Sequence, residues 1–226
     1  MEALKAILEG YRNGTATLDQ AHIDPWKPPP EPTPEEKRAD FLLKYGGVTD
    51  LEHTFAKLRC PKGFGSTLRA FKQFAAGEVS WYMLLAYGGT GNGKTLCCEA
   101  LVIALYDQGI RAKRQKWSDV LRFTLKPAIR HRSNQPEYEE VFAALRNQRL
   151  LILDDVGAGS TGGPWEWGEL EDIVDYRLEK RLPTVLTTNL DLKKVNPRLW
   201  SRFNDKKRCQ LVYDEAADQR PLEAGK

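Results

Sequence analysis

Residues 84–101 read LLAYGGTGNGKTLCCEAL, and three local conformations follow one another within them. The apolar run ending at Tyr87 suits a buried strand. Gly88-Gly89-Thr90-Gly91-Asn92-Gly93-Lys94-Thr95 then matches the spacing G-x-x-x-x-G-K-[ST]. Glycines let the backbone turn so that successive N–H groups point into one cavity. An amphipathic helix is expected to open after Gly93 and to aim its positive end at the same place. In that geometry Lys94 reaches the β- and γ-phosphates, and the Thr95 hydroxyl ligates Mg²⁺. Strand, phosphate-cradling loop and helix together imply a nucleoside-triphosphate site.

Working outward, three further segments offer what hydrolysis would need. Leu150-Leu151-Ile152-Leu153-Asp154-Asp155 is a buried-strand pattern with two acids at its C-terminal end, where ligands of parallel sheets bind. Beside the phosphate loop, Asp154 is expected to hold the Mg²⁺ shell and Asp155 to orient or deprotonate the attacking water. Without that loop the pair would read as an ordinary turn. Thr184-Val185-Leu186-Thr187-Thr188-Asn189 is a second apolar strand with a polar tip. Asn189 there can hydrogen-bond the attacking water or the γ-phosphate, although an isolated Asn at a strand end is more often a turn residue. In Pro197-Arg198-Leu199-Trp200-Ser201-Arg202-Phe203, two arginines four apart share one helical face. They are either a solvated basic face or a finger offered to a neighbouring subunit's phosphate.

The remaining pattern alternates strand and helix. Candidate strands are 82–87, 112–117, 149–154, 184–188 and 208–213. Candidate helices are 93–107, 118–131, 136–147, 166–180 and 197–203, preceded by one from about Ser66 to Gly77. Alternation of this kind predicts βαβ units around a parallel sheet. Upstream, Leu4, Ile7, Leu8 and Tyr11 form one stripe on a short helix, read as a possible partner tether over residues 1–24. Residues 25–34 hold six prolines and read as an extended linker. Thr33-Pro34-Glu35-Glu36 then starts a helix that should stop at Gly46-Gly47, and the globular domain is placed at 35–226.

Of 226 residues, 41% are hydrophobic and 29% charged, and no run is long and apolar enough to suggest a membrane span. The N-terminus does not read as a signal peptide, so a cytoplasmic location is expected. Cys60, Cys97, Cys98 and Cys209 lack any metal-ligand spacing and read as small buried or semi-buried thiols. A net charge of +3 does not by itself indicate a nucleic-acid partner.

Taken together, these motifs resemble those of AAA+ ATPases, and within them the branch of DnaC-type helicase loaders and IstB-like transposition ATPases. The residues concerned are GGTGNGKT (Walker A), LLILDDVG (Walker B), LPTVLTTNL (sensor 1) and RLWSRF (arginine-finger box). Asp218-Gln219-Arg220 is similar to that branch's terminal D-x-R, which implies a nucleotide contact for Arg220. The resemblance covers roughly residues 50–221. It implies an α/β three-layer P-loop fold around a five-stranded parallel sheet. The chain departs from the family in two ways: only 24 residues follow Arg202, so little or no C-terminal lid is expected, and only a short helical N-terminal extension precedes the core. The resemblance also implies ATP and Mg²⁺ as ligands, self-association into a ring or spiral, and a replicative helicase or a transposase as partner.

Charge is concentrated locally. From Arg111 to Arg132 there are eight basic residues against Asp119 alone, with Trp117 and Phe123 interleaved. A second basic run spans Lys193 to Arg208. Each is either a solvated face or part of a channel for a nucleic-acid backbone. The resembled family places a DNA-facing helical insertion near 118–134. This nominates Phe123, Lys126, Arg130 and Arg132 for single-stranded DNA, although core packing is the commoner fate of a single Phe. A P-loop kinase of a small molecule is a remoter reading and would require a closing lid.

Overall fold

The computed structural model describes residues 30–130, 135–157, 163–192 and 195–220, side chains at 129–130 and 135–137 excepted. The chain divides into two units between Thr33 and Pro34, and the description below concerns the second. The proposed N-terminal helix, Arg132, Lys193 and Lys194 lie outside the described residues.

Five strands form the sheet: β1 (Met83–Gly88), β2 (Arg114–Lys116), β3 (Leu151–Asp154), β4 (Thr184–Thr188) and β5 (Cys209–Asp214). Their spatial order is β2-β3-β4-β1-β5, and every pairing is parallel. Leu84 lies beside Val185 on one side and Gln210 on the other, which fixes the register at the centre. The central strands are apolar runs because both faces of the sheet are covered. Their side chains divide by the strand period of two. Met83, Leu85, Leu151, Leu153 and Leu186 enter one core, and Leu84, Ala86, Ile152 and Val185 enter the other.

Helices supply the two outer layers. On one side lie α1 (Pro34–Asp40), α2 (Gly65–Ala76) and α3 (Lys94–Asp107); on the other lie α4 (Lys126–Arg130), α5 (Gln135–Arg146), α6 (Pro164–Glu179) and α7 (Pro197–Phe203). Sequence expectation and structure agree for most elements. Two differences have clear physical causes. The helix after the glycine loop, expected to be amphipathic, is covered on most sides: Cys97, Cys98, Glu99, Leu101, Val102 and Ile103 are all buried. A π-helical turn, Phe41–Tyr45, continues α1, and its Leu42 packs in the same core as Val102, close enough that a Cβ at Gly46 would lie 3.2 Å from Val102 Cγ1. The helix expected over 118–131 instead contains a π-helical turn at Val120–Leu125, closed by the Lys126 N–H donating to the Leu121 carbonyl, and Trp117, expected to end a strand, already belongs to its first turn. Pro127 has no N–H to give to the Phe123 carbonyl, so a regular ladder cannot be completed there.

Arg177 is a fold determinant that the sequence pattern does not announce. It is fully buried, yet it donates to neutral oxygens: Thr184 Oγ1 and the carbonyls of Arg146, Gln148 and Pro183, at 2.6–2.8 Å. Burial lowers its pKa to about 10, so it stays charged at neutral pH. These bonds tie the end of α5 to the entry of β4 and hold the two neighbouring strands in step. Cys97, Cys98 and Cys209 are buried as expected, with Cys209 raised to about 12 by burial, whereas Cys60 is exposed.

Candidate nucleotide site

The loop between β1 and α3 owes its shape to specific glycines. Gly88 has φ of 144° and runs so close to β5 that a Cβ would lie 2.3 Å from the Asp214 carbonyl. Gly93 has φ of 105°, caps α3, and rests on the buried ring of Phe64. Gly91 has φ of 68°, and its carbonyl accepts the Gln219 N–H at 2.9 Å. Gly89 and Thr90 are exposed at the tip, and Asn92 is buried beneath it. The Lys94 ammonium is 5% exposed and donates to the Gly88 and Gly89 carbonyls at 3.2 and 2.6 Å and to Asn92 Oδ1 at 2.8 Å. Burial pushes its pKa down, opposed by Asp214, Asp155 and Asp154.

The two acids after β3 occupy different environments. Asp154 is buried. Its Oδ1 accepts from Thr187 Oγ1 at 2.5 Å and from Thr95 Oγ1 at 3.3 Å, and its Oδ2 accepts from Arg114 Nη1 at 2.8 Å. The two residues assigned to the metal are thus in contact across β3 and α3. They are hard oxygen donors of the kind Mg²⁺ takes, with its other positions left to phosphate and water. Among the described residues no group of three His, Cys, Asp or Glu side chains could hold a metal alone.

Asp155 is half-buried and has φ of 59°, a left-handed conformation that Asp tolerates better than most residues. This turn takes the chain out of β3 and presents the carboxylate above it. Its N–H donates to Thr187 Oγ1 at 2.9 Å, and its Oδ1 accepts from Asn189 Nδ2 at 2.7 Å. Burial and Asp154 raise its pKa, while Lys94, Lys116 and Arg220 oppose the rise. The structure therefore brings together Lys94, Thr95, Asp154, Asp155 and Asn189 at the C-terminal ends of neighbouring strands. Asp218 and Arg220 lie on the same edge: the Asp218 carboxylate abuts Gly91, and Arg220 acts electrostatically on Asp155.

Two residues here were missed by pattern reading. Thr187 serves both acids at once; its signal was the second polar position in the run TVLTTN. Arg114 had been counted with the basic surface run, but it is 7% exposed and paired to Asp154. No spacing rule announces that pairing, because the sheet order rather than the sequence puts β2 beside β3.

The residues proposed for a partner subunit or for DNA sit elsewhere. Arg202 makes a double hydrogen bond to Asp175 on α6, at 2.5 and 3.2 Å, and Arg198 pairs with Glu171 one turn earlier. Both guanidiniums are thus held by carboxylates of α6. Phe123 is 66% exposed with the Arg122 guanidinium 5.1 Å from its ring centre, so it is not a core residue. Trp117, read as an interleaved aromatic, is instead core: it is 2% exposed and packs under the sheet. Lys126 is half-exposed and reaches Glu166 at 3.2 Å. The backbone of Arg130 ends α4, and its side chain lies outside the described set.

No protein-family model and no curated protein matches the chain. Solved structures do. The replication initiator DnaA bound to AMPPCP and single-stranded DNA matches with a TM-score of 0.61 and 22% identity, over 74% of this chain and 51% of that one. DnaI matches at 0.58 and 19%, over 75% and 92% respectively. The DnaC helicase loader matches at 0.54 and 22%, over 73% and 97%. This chain spans about half the length of the AMPPCP-bound DnaA structures. The fold is that of the AAA+ P-loop ATPases. This chain builds that fold on a five-stranded parallel sheet, and its fold matches those of the DnaA, DnaI and DnaC structures.

Proposed function

We propose that the chain is an ATP-dependent accessory protein of DNA replication, a helicase loader that binds and hydrolyses ATP and engages single-stranded DNA. The observation that carries this reading is the Asp155–Asn189 hydrogen bond, which sits on the strand edge beside Lys94. A phosphate loop alone fits any P-loop protein. An acid and an amide joined next to it fit the handling of an attacking water.

In this reading the loop N–H groups and Lys94 hold the triphosphate, and Lys94 exchanges its carbonyl partners for phosphate oxygens. Mg²⁺, when bound, neutralises charge building up on the phosphates, and Thr95 and Asp154 are the residues that would hold it. Asp155 takes up or orients the proton of water, and Asn189 fixes the Asp155 carboxylate. Arg220 completes the site from the same chain. Arg202 completes it from a neighbouring subunit in a ring or spiral, after leaving Asp175.

The DNA part of the proposal is supported by the exposed Phe123 and by the likeness to DnaA, which was solved with single-stranded DNA. Phe123 offers a face for base stacking, while Lys126, Arg130 and Arg132 offer charge to phosphates. The test is phosphate release from ATP with and without single-stranded DNA, alongside binding of a purified replicative helicase in ATP. Stimulation by DNA together with ATP-dependent helicase binding is expected. Hydrolysis indifferent to DNA, with no helicase bound, would overturn the loader reading while leaving the ATPase reading intact.

A further inference from the structure

Arg114 has two partners besides Asp154. Its Nε donates to the Gly47 carbonyl at 2.8 Å, and its Nη2 lies 3.4 Å from Glu99 Oε1. Glu99 is on α3 and is 1% exposed. Thr49 donates to it through its N–H and its hydroxyl at 2.9–3.0 Å, and His53 Nδ1 lies 2.8 Å from Oε2. Gly47, with φ of 71°, allows this layer to close: a Cβ there would fall 2.3 Å from the Arg114 carbonyl. A buried acid–base–acid row thus runs from Glu99 through Arg114 to Asp154.

The row has a consequence for any cation at Asp154. A guanidinium 2.8 Å from that carboxylate cancels much of its attraction for a second positive charge. A pair alone would be neutral. The second acid leaves the row with one net negative charge. Orientation matters as well. Arg114 occupies Oδ2, so Oδ1 is the oxygen that faces Thr95.

We propose that Glu99 and Arg114 are positioning residues that set the affinity of this site for its divalent cation, Arg114 by fixing Asp154 and Glu99 by restoring the negative charge that Arg114 removes. The proposal rests on the reading of Thr95 and Asp154 as the Mg²⁺ residues. Neither Glu99 nor Arg114 touches the cation in this account; both act through Asp154. Outer partners of metal ligands commonly alter metal affinity by about 10–100-fold.

The experiment is a Mg²⁺ titration of the binding of a fluorescent ATP analogue to the full chain at fixed pH. It reads the Mg²⁺ concentration for half-maximal effect separately from nucleotide affinity in EDTA. Glu99→Gln is expected to raise the Mg²⁺ requirement by about tenfold, with EDTA affinity unchanged. Glu99→Gln combined with Arg114→Gln is expected to bring the requirement back toward wild type. With both positions neutral, the row again carries one negative charge, that of Asp154, and Arg114→Gln retains an amide donor for it. A purely structural network predicts the opposite order, the double variant being worse than the single. An unchanged requirement in Glu99→Gln, or a double variant worse than the single, would overturn the proposal. If Glu99→Gln does not fold, Arg114→Gln alone serves: it must lower the Mg²⁺ requirement, and an equal or higher requirement refutes the charge argument. Asp154→Asn separates the two levels. If it leaves the Mg²⁺ dependence untouched, the Asp154 assignment itself is wrong and the proposal falls with it.

Discussion

The phosphate edge of the sheet and the helical stretch 117–130 are both polar, yet they are built in opposite ways. At the phosphate edge, Lys94 and Asp154 are nearly inaccessible and each has three hydrogen-bond partners. In 117–128 the buried positions are apolar, Trp117, Val120, Leu121, Leu125 and Ala128, while Arg122 and Lys126 face outward, the first with a ring contact and the second with one partner. Buried polar groups must be satisfied one by one, which ties residue identity to geometry. An exposed helical face tolerates many residues, so its chemistry follows from charge and shape rather than from a fixed motif. The first region suits a chemical step and the second an adaptable contact with a long polymer.

The largest effect that would sharpen this contrast comes from the buried side of the helical stretch. Trp117→Ala should destabilise the protein by about 3–5 kcal/mol, whereas Phe123→Ala should change stability by less than about 0.5 kcal/mol; denaturant unfolding of both checks it. In a DNA titration the order reverses. Phe123→Ala should lose about 1–3 kcal/mol of single-strand affinity if a base stacks there. Equal stability costs for the two would erase the distinction. At the phosphate edge, Lys94→Ala removes at least one charge-assisted contact to phosphate, and nucleotide affinity should fall on the order of a hundredfold. Calorimetric titration with ATP measures this directly.

Smaller effects follow from backbone and surface. Gly93→Ala forces a side chain into φ of 105° against Phe64, and a cost of about 1–3 kcal/mol is expected, with nucleotide affinity falling as the loop shifts. Arg202→Ala breaks an exposed pair with Asp175, so its effect on stability should be below about 1 kcal/mol. If the finger acts between subunits, turnover should nevertheless collapse, and mixing with Lys94→Ala protein should restore part of it. A turnover equal to wild type would leave Arg202 as a surface ion pair only.

Much of the phosphate edge was legible because backbone geometry dictates residue type there. Gly88 and Gly93 must be glycine where φ is positive and a strand or ring lies against them. The apolar runs of β1, β3 and β4 declare strands buried on both faces. What could not be read was partner choice across the sheet. Arg114 looked like one of eight surface cations, and only the β2–β3 pairing turns it inward to Asp154. The π-helical turn was only half legible: Pro127 marks an interrupted ladder, but nothing in the composition says that the turn before it closes with a five-residue bond. Arg177 illustrates a third case. A buried cation satisfied by carbonyls and a hydroxyl follows no pattern rule, because its partners lie at the ends of α5 and β4.

The central claim is that this edge of the sheet activates water against a bound triphosphate, with Asp155 as the residue responsible. The direct measurement compares Asp155→Asn with wild type for ATP binding and for phosphate release in the same preparation. Binding should be retained, and release should fall by about 10²–10⁴-fold. Phosphate release at the wild-type rate in Asp155→Asn, or a loss of binding that accounts for the whole defect, would contradict it.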